Sequence, residues 1–141
     1  MKKILIATDG SEHSQKTTEE AIRLARSMEA EVTVIMVMEE SPNLAYIVPS
    51  DTIKKIKENY KKNAEQILAK AEKDFKDNGI EVKTVLANGH AADEICNLAN
   101  KGNFDMVIIG SRGLGGIKEV FLGSVSNKVA HCAKPHVLII K

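Results

Sequence analysis

The sequence predicts an α/β protein, a three-layer sandwich with a parallel sheet between two layers of helices. Three observations predict it. Short, continuously apolar runs rich in β-branched residues recur along the 141-residue chain. Segments with apolar residues at helical spacing lie between them. Strand and helix then alternate until the chain ends on a strand, the order expected of parallel strands joined by right-handed helical crossovers.

Each element has its own signal. Lys3 to Thr8, "KILIAT", is the first buried strand. Asp9-Gly10-Ser11 is a turn, and Ser11 is placed to cap the next helix. Ala21, Leu24, Ala25 and Met28 form one helical stripe. Val32 to Met38 is a second buried strand. Residues 39–50, with Pro42 and Pro49 and no period, form a loop. A long amphipathic helix covers 51–78, with Ile53, Ile56, Tyr60, Ala64, Ile67, Ala71 and Phe75 on one side, and Asn78-Gly79 stops it. Glu81 to Ala87 alternates like a strand, and Ala91, Ile95, Leu98 and Ala99 suggest a short helix. Phe104 to Ile109 is a strand, Ser124 to Ala133 a helix broken by Lys134-Pro135, and His136 to Ile140 the last strand. No repeat, low-complexity tract or linker divides the chain, so residues 1–141 are expected to be a single domain.

Composition narrows the function. With 20 basic and 19 acidic residues the net charge is +1, which gives no case for nucleic acid or an anionic membrane as partner. No apolar run approaches the roughly 20 residues of a membrane helix. The opening Met1 to Ala7 imitates a signal peptide, but Asp9 interrupts it too early. Cys96 and Cys132 lie far apart and form no CxxC, so both are expected to be inert thiols on apolar helix faces of a reduced, cytoplasmic protein. His13, His90, His131 and His136 match no zinc spacing and are expected on the surface or in loops. Asp9, Ser11 and His13 are neighbours in sequence, which is not triad geometry.

The glycines carry the most information. From Gly110 to Gly123 there are five glycines in fourteen positions, directly after a buried strand. Ligands of open parallel sheets bind beyond the carboxyl ends of the strands. Bare backbone there allows close approach and an anion-binding nest. Gly123-Ser124 then opens a helix, whose free N–H groups favour phosphate. Arg112 and Lys118 could add positive charge. A Walker A loop is absent, and GxGxxG fails because Lys118 stands where a glycine is needed. A receiver domain would need an acidic pair after the first strand and an acceptor aspartate after the third, where Leu86-Ala87-Asn88 stands. A flavin site would need its phosphate loop after the first strand and more than 4% aromatics.

The spacing present is G-x2-G-x9-G-[ST]: Gly110, Gly113, Gly123 and Ser124. With "ILIATDGSEHS", "FDMVIIGSRGLGG", "LGSVSNKV" and "KPHVLII", the chain resembles the ATP-binding branch of the universal stress protein family from end to end. The resemblance implies strand order 3-2-1-4-5, the adenine nucleotide alpha hydrolase-like arrangement, with ATP across the strand ends. It implies adenine walls at Ala7, Val37 and Ile109, with Thr8 beside the nucleotide. It implies a ribose and phosphate loop from Gly110 through Ser111, Arg112, Gly113, Leu114 and Gly115 to Gly116. It implies a phosphate-binding helix start at Gly123, Ser124 and Val125, and Asp9 beside the phosphates and a Mg²⁺ (or Mn²⁺) ion. Family members commonly pair last strands, so Val137, Leu138, Ile139 and Ile140 are the implied homodimer edge. Alanine at position 7 and arginine at 112 depart from the proline and histidine of some relatives. The expected role is a nucleotide-dependent stress-response regulator or sensor with an unknown protein partner. The alternative is a slow ATPase or autophosphorylating enzyme at the same site, although no water-positioning base is evident and no catalytic residue is assigned.

Overall fold

The computed structural model describes residues 2–39, 47–112 and 122–141. Within them the elements run β1 (Lys3–Ala7), α1 (Glu12–Met28), β2 (Glu31–Met38), α2 (Ser50–Asp77), β3 (Val82–Asn88), α3 (Ala91–Lys101), β4 (Met106–Gly110), α4 (Ser124–Cys132) and β5 (His136–Ile140). All strand pairs are parallel, and the sheet order is β3-β2-β1-β4-β5. This is the order that the family resemblance implies.

Alternation along each strand divides the core into two layers. Ile4 and Ile6 of β1, Val32, Val34 and Met36 of β2 and Ile108 of β4 face one way. They meet Ala21 and Ala25 of α1, and Ala64, Leu68, Ala71 and Phe75 of α2. Leu5 and Ala7, Ile35, Val107 and Ile109 face the other way, against Ala92, Ile95, Cys96 and Ala99 of α3 and Val129 of α4. Burial on both faces is why these strands are apolar throughout. No helix among the described residues is long and apolar enough to cross a membrane.

The helix ends follow the sequence signals. Ser11 caps α1, its Oγ accepting from Ser14 N at 3.2 Å. Gly79 ends α2 at φ +72°, where the Ile80 N–H reaches back to the Phe75 carbonyl at 3.1 Å. Only the carboxyl-terminal half of α2 covers the sheet. Ile56 and Tyr60, on the stripe expected to be apolar and inward, are exposed.

Two expectations are corrected. Cys96 and Cys132 are not separate reduced thiols. They form a disulfide, with Cα atoms 5.9 Å apart, because α3 and α4 lie side by side on the same face of the sheet. Cys132 is also exposed rather than in the core. His13 is not a free surface group either. It is half-buried, and its Nε2 lies 3.0 Å from the carbonyl oxygen of Ile140.

Candidate functional site

The chain runs outward from β1 through β2 to β3, then returns to place β4 on the other side of β1. The carboxyl ends of β1 and β4, Ala7 and Gly110, therefore flank the point where strand order reverses. Such points hold the ligand crevice of doubly wound sheets.

After β1, Thr8 stays tied to the sheet, its N–H donating to the Ile35 carbonyl at 3.0 Å. The carboxylate of Asp9 turns back on its own chain, and Oδ1 accepts from Ser11 N at 2.9 Å. This Asx turn leads directly into the capped start of α1. It uses one carboxylate oxygen and leaves Oδ2 outside the turn. Gly10 between them has φ +79°, and a side chain there would strike Ile67 of α2.

After β4, Ser111 is buried and held by both backbone groups. Its N–H donates to the Ile140 carbonyl at 2.8 Å, and its carbonyl accepts from Gly123 N at 2.8 Å. Ser126 Oγ reaches the same Ser111 oxygen at 3.4 Å. The start of α4 is thereby fixed against the end of β4, across a separation of twelve positions between Ser111 and Gly123. Gly123 takes the cap position with extended backbone, and no side chain caps the helix among the described residues. The first helical bond from this end is Asn127 N to Gly123 O, at 2.9 Å. The N–H groups of Ser124, Val125 and Ser126 thus have no acceptor among the described residues, the usual state of a helix start before a ligand or water meets it. They also carry the positive end of the helix dipole.

Gly110 has a different local reason for being glycine. A Cβ there would lie 2.8 Å from His13 Cδ2 and 2.9 Å from Thr17 Oγ1, so α1 occupies the space. At Gly123 a Cβ would lie 3.1 Å from the Ser111 carbonyl oxygen, which reflects the close approach of α4 to β4.

Ala7, Val37, Ile109 and Val125 belong to one apolar cluster, on the α3 and α4 side of the sheet. The fold therefore unites residues from β1, β2, β4 and α4 beneath the strand ends. Arg112 is exposed. Gly113, Leu114, Gly115, Gly116 and Lys118 lie outside the described residues. No group of three or more His, Cys, Asp or Glu side chains forms a metal cluster among the described residues. Asp9 is a single carboxylate, enough only for an ion that takes its other ligands from elsewhere. A groove of about 510 Å³ lies between α2 and β3 and reaches the carboxyl ends of β2 and β3, with Met38, Lys61, Glu65, Leu68, Leu86 and Asn88 in its walls. Its polar groups come from Lys61, Glu65 and Glu72 of α2 and from Thr84 and Asn88 of β3.

The sequence did not mark His13 as part of this region. It comes there because α1 packs beside β4 and β5, where His13 meets Ile140, a contact across 127 positions that no local pattern announces.

A sequence profile of the universal stress protein family matches residues 1–141. The chain belongs to the universal stress protein family. The universal stress protein YxiE of Bacillus subtilis (strain 168) is 36% identical over 146 aligned positions, covering 99% of this chain and 98% of that one. Among solved structures, MJ0577 of Methanocaldococcus jannaschii superposes with a TM-score of 0.85 at 27% identity, covering 99% of this chain and 95% of its own. A universal stress protein from Archaeoglobus fulgidus, solved in complex with dAMP, superposes with a TM-score of 0.71 at 20% identity, covering 100% of this chain and 98% of its own. That last likeness carries the fold and not the ligand.

Proposed function

We propose that this universal stress protein binds ATP where strand order reverses between β1 and β4, and acts as a nucleotide-dependent regulator of a stress response. The observation that carries the reading is the start of α4. Gly123 N–H anchors it to buried Ser111 at the end of β4, and the N–H groups of Ser124, Val125 and Ser126 have no acceptor among the described residues. A phosphate at that place gains several N–H donors and the helix dipole without rearrangement of the backbone. The Archaeoglobus fulgidus protein, of the same fold, was solved with dAMP.

In this reading Ala7, Val37 and Ile109 supply the apolar floor for the adenine, with Thr8 at its edge. Gly110 to Gly116 follow the ribose and phosphates. Gly123, Ser124 and Val125 present N–H groups to the terminal phosphates. Asp9 would join the phosphates in holding Mg²⁺ or Mn²⁺, and the ion would neutralise phosphate charge. The protein works as a homodimer in the cytoplasm. The half-buried edge formed by Val137, Leu138, Ile139 and Ile140 pairs with its copy, which removes an apolar edge strand from solvent.

The test is to heat-extract the purified protein and identify any released nucleotide by chromatography. Stoichiometric adenine nucleotide supports the reading. A protein that carries none, and takes up none from millimolar ATP, overturns it.

A further inference from the structure

The Cys96–Cys132 bond joins a buried residue to an exposed one. Cys96 sits on the inner stripe of α3 with Ala92, Ile95 and Ala99, and only 5% of it is exposed. Cys132 closes α4 at the surface. A reagent from solvent therefore meets the Cys132 sulfur first, and Cys96 is the buried leaving group.

We propose that Cys96–Cys132 is a thiol–disulfide exchange site for a dithiol reductant, and that its state sets how firmly α4 is held on the sheet. The chemistry balances within the named reactants. One thiolate of the external dithiol attacks Cys132 Sγ, the Sγ–Sγ bond breaks, and Cys96 leaves as a thiolate that takes up a proton. The second external thiol then displaces Cys132 from the mixed disulfide. Two electrons and two protons pass to the protein, and the reductant becomes a disulfide. The oxidised form of the same reagent runs the reaction backwards.

The fold accommodates both states. Cys96 Sγ lies 3.9 Å from the Val129 carbonyl oxygen on α4, and Cys132 Sγ lies 3.9 Å from the Ala92 carbonyl oxygen on α3. Each released S–H thus has a weak acceptor on the opposite helix. Asn100 also keeps the joint together without the bond: its Nδ2 donates to the Cys132 carbonyl at 3.0 Å, and its Oδ1 accepts from Lys134 N at 2.7 Å. Lys128 and Asp93 add an ion pair at 3.1 Å.

What reduction changes is the tethering of α4. The helix has nine residues, below the roughly 12–15 at which an isolated helix holds itself together. Its order comes from its seat and its two ends. One end is tied to Ser111, and the other is tied covalently to α3. Cutting the covalent tie lowers the cost of local opening along the whole helix, up to Ser124. This proposal goes beyond the nucleotide reading and stands without it.

The experiment compares the whole protein after dithiothreitol, after reoxidation with oxidised dithiothreitol, and as the Cys132→Ser variant. Thiol titration follows the bond, circular dichroism follows the fold, and amide hydrogen exchange follows α4. The expected result is two thiols after reduction and none after reoxidation. Exchange across 124–132 should be at least tenfold faster in the reduced protein and in Cys132→Ser, an acceleration larger than that of β1 and β2. Two thiols that never close under the oxidant would overturn the proposal, as would equal exchange in both states. Global unfolding on reduction would also overturn it, because the bond would then be a structural staple.

Discussion

The N–H of Ser111 donates to the carbonyl of Ile140 at 2.8 Å. The first joins β4 to the segment carrying the glycines, and the second is the last residue of β5. His13 Nε2 reaches the same Ile140 oxygen at 3.0 Å, so with its proton on that nitrogen the imidazole is a second donor. One carbonyl therefore ties α1, the end of β4 and the outer strand together. Replacing His13 with alanine removes one donor and opens space beside Gly110. Denaturant unfolding should show a loss of about 1 kcal/mol, with glutamine at the position recovering part of it.

Gly110 is a sharper test of packing at this place. Its missing side chain is the room taken by His13 and Thr17, at 2.8 Å and 2.9 Å from a constructed Cβ. Gly110→Ala forces α1 outward and should cost about 1–3 kcal/mol by overpacking. An alanine variant as stable as the parent would show that α1 yields there freely.

Asp9 separates a structural role from an ionic one. Asparagine keeps an Oδ1 that can accept from Ser11 N, so the Asx turn survives Asp9→Asn. Stability should change by less than about 0.5 kcal/mol. The Mg²⁺ dependence of ATP binding, measured by titration with and without the ion, should disappear. If Asp9→Asn also abolishes a measurable ATP turnover, the slow-enzyme alternative gains. Unchanged trace hydrolysis counts against it.

Gly123 lies where α4 meets β4, with a constructed Cβ 3.1 Å from the Ser111 oxygen. Gly123→Val should weaken ATP binding at least tenfold, about 1.4 kcal/mol, while circular dichroism shows the fold retained. Parent-like affinity in this variant would remove the start of α4 from the site.

The disulfide makes its own stability prediction. It closes a span of 36 positions that contains β4, Ser111, Gly123 and most of α4. Serine at Cys132 should lower unfolding free energy by about 2–4 kcal/mol, the usual range for removing such a cross-link. Urea denaturation of the oxidised parent beside the variant measures it.

Much of this was legible in the sequence because two periods carry it. Apolar runs, and alternation in the case of β3, marked every strand, and the expected ends agree with the fold to within two residues. The widest difference is at β4, where Phe104 belongs to the approach to the strand and its ring packs under the Lys3 ammonium, 5.2 Å from the ring centre. Ser11 and Gly79 announced a helix start and a helix end through cap chemistry alone. Strand order was not in the periods, because equal apolar strands can be laid side by side in several ways. It came from the family resemblance. The contacts of highest sequence separation were not legible at all. Nothing local to Cys96 and Cys132 says that α3 and α4 adjoin, and nothing near His13 names Ile140. Gly110 suggested room for a ligand, and the closeness of His13 and Thr17 to a constructed Cβ adds a packing reason that the sequence did not announce.

ATP held between the start of α4 and the end of β1 is the feature on which the proposed function depends. Calorimetric titration of the purified protein with ATP, with and without Mg²⁺, tests it most directly. One ATP should bind saturably per chain, and more tightly when Mg²⁺ is present. No heat at millimolar ATP, with the protein folded and free of bound nucleotide, would contradict it.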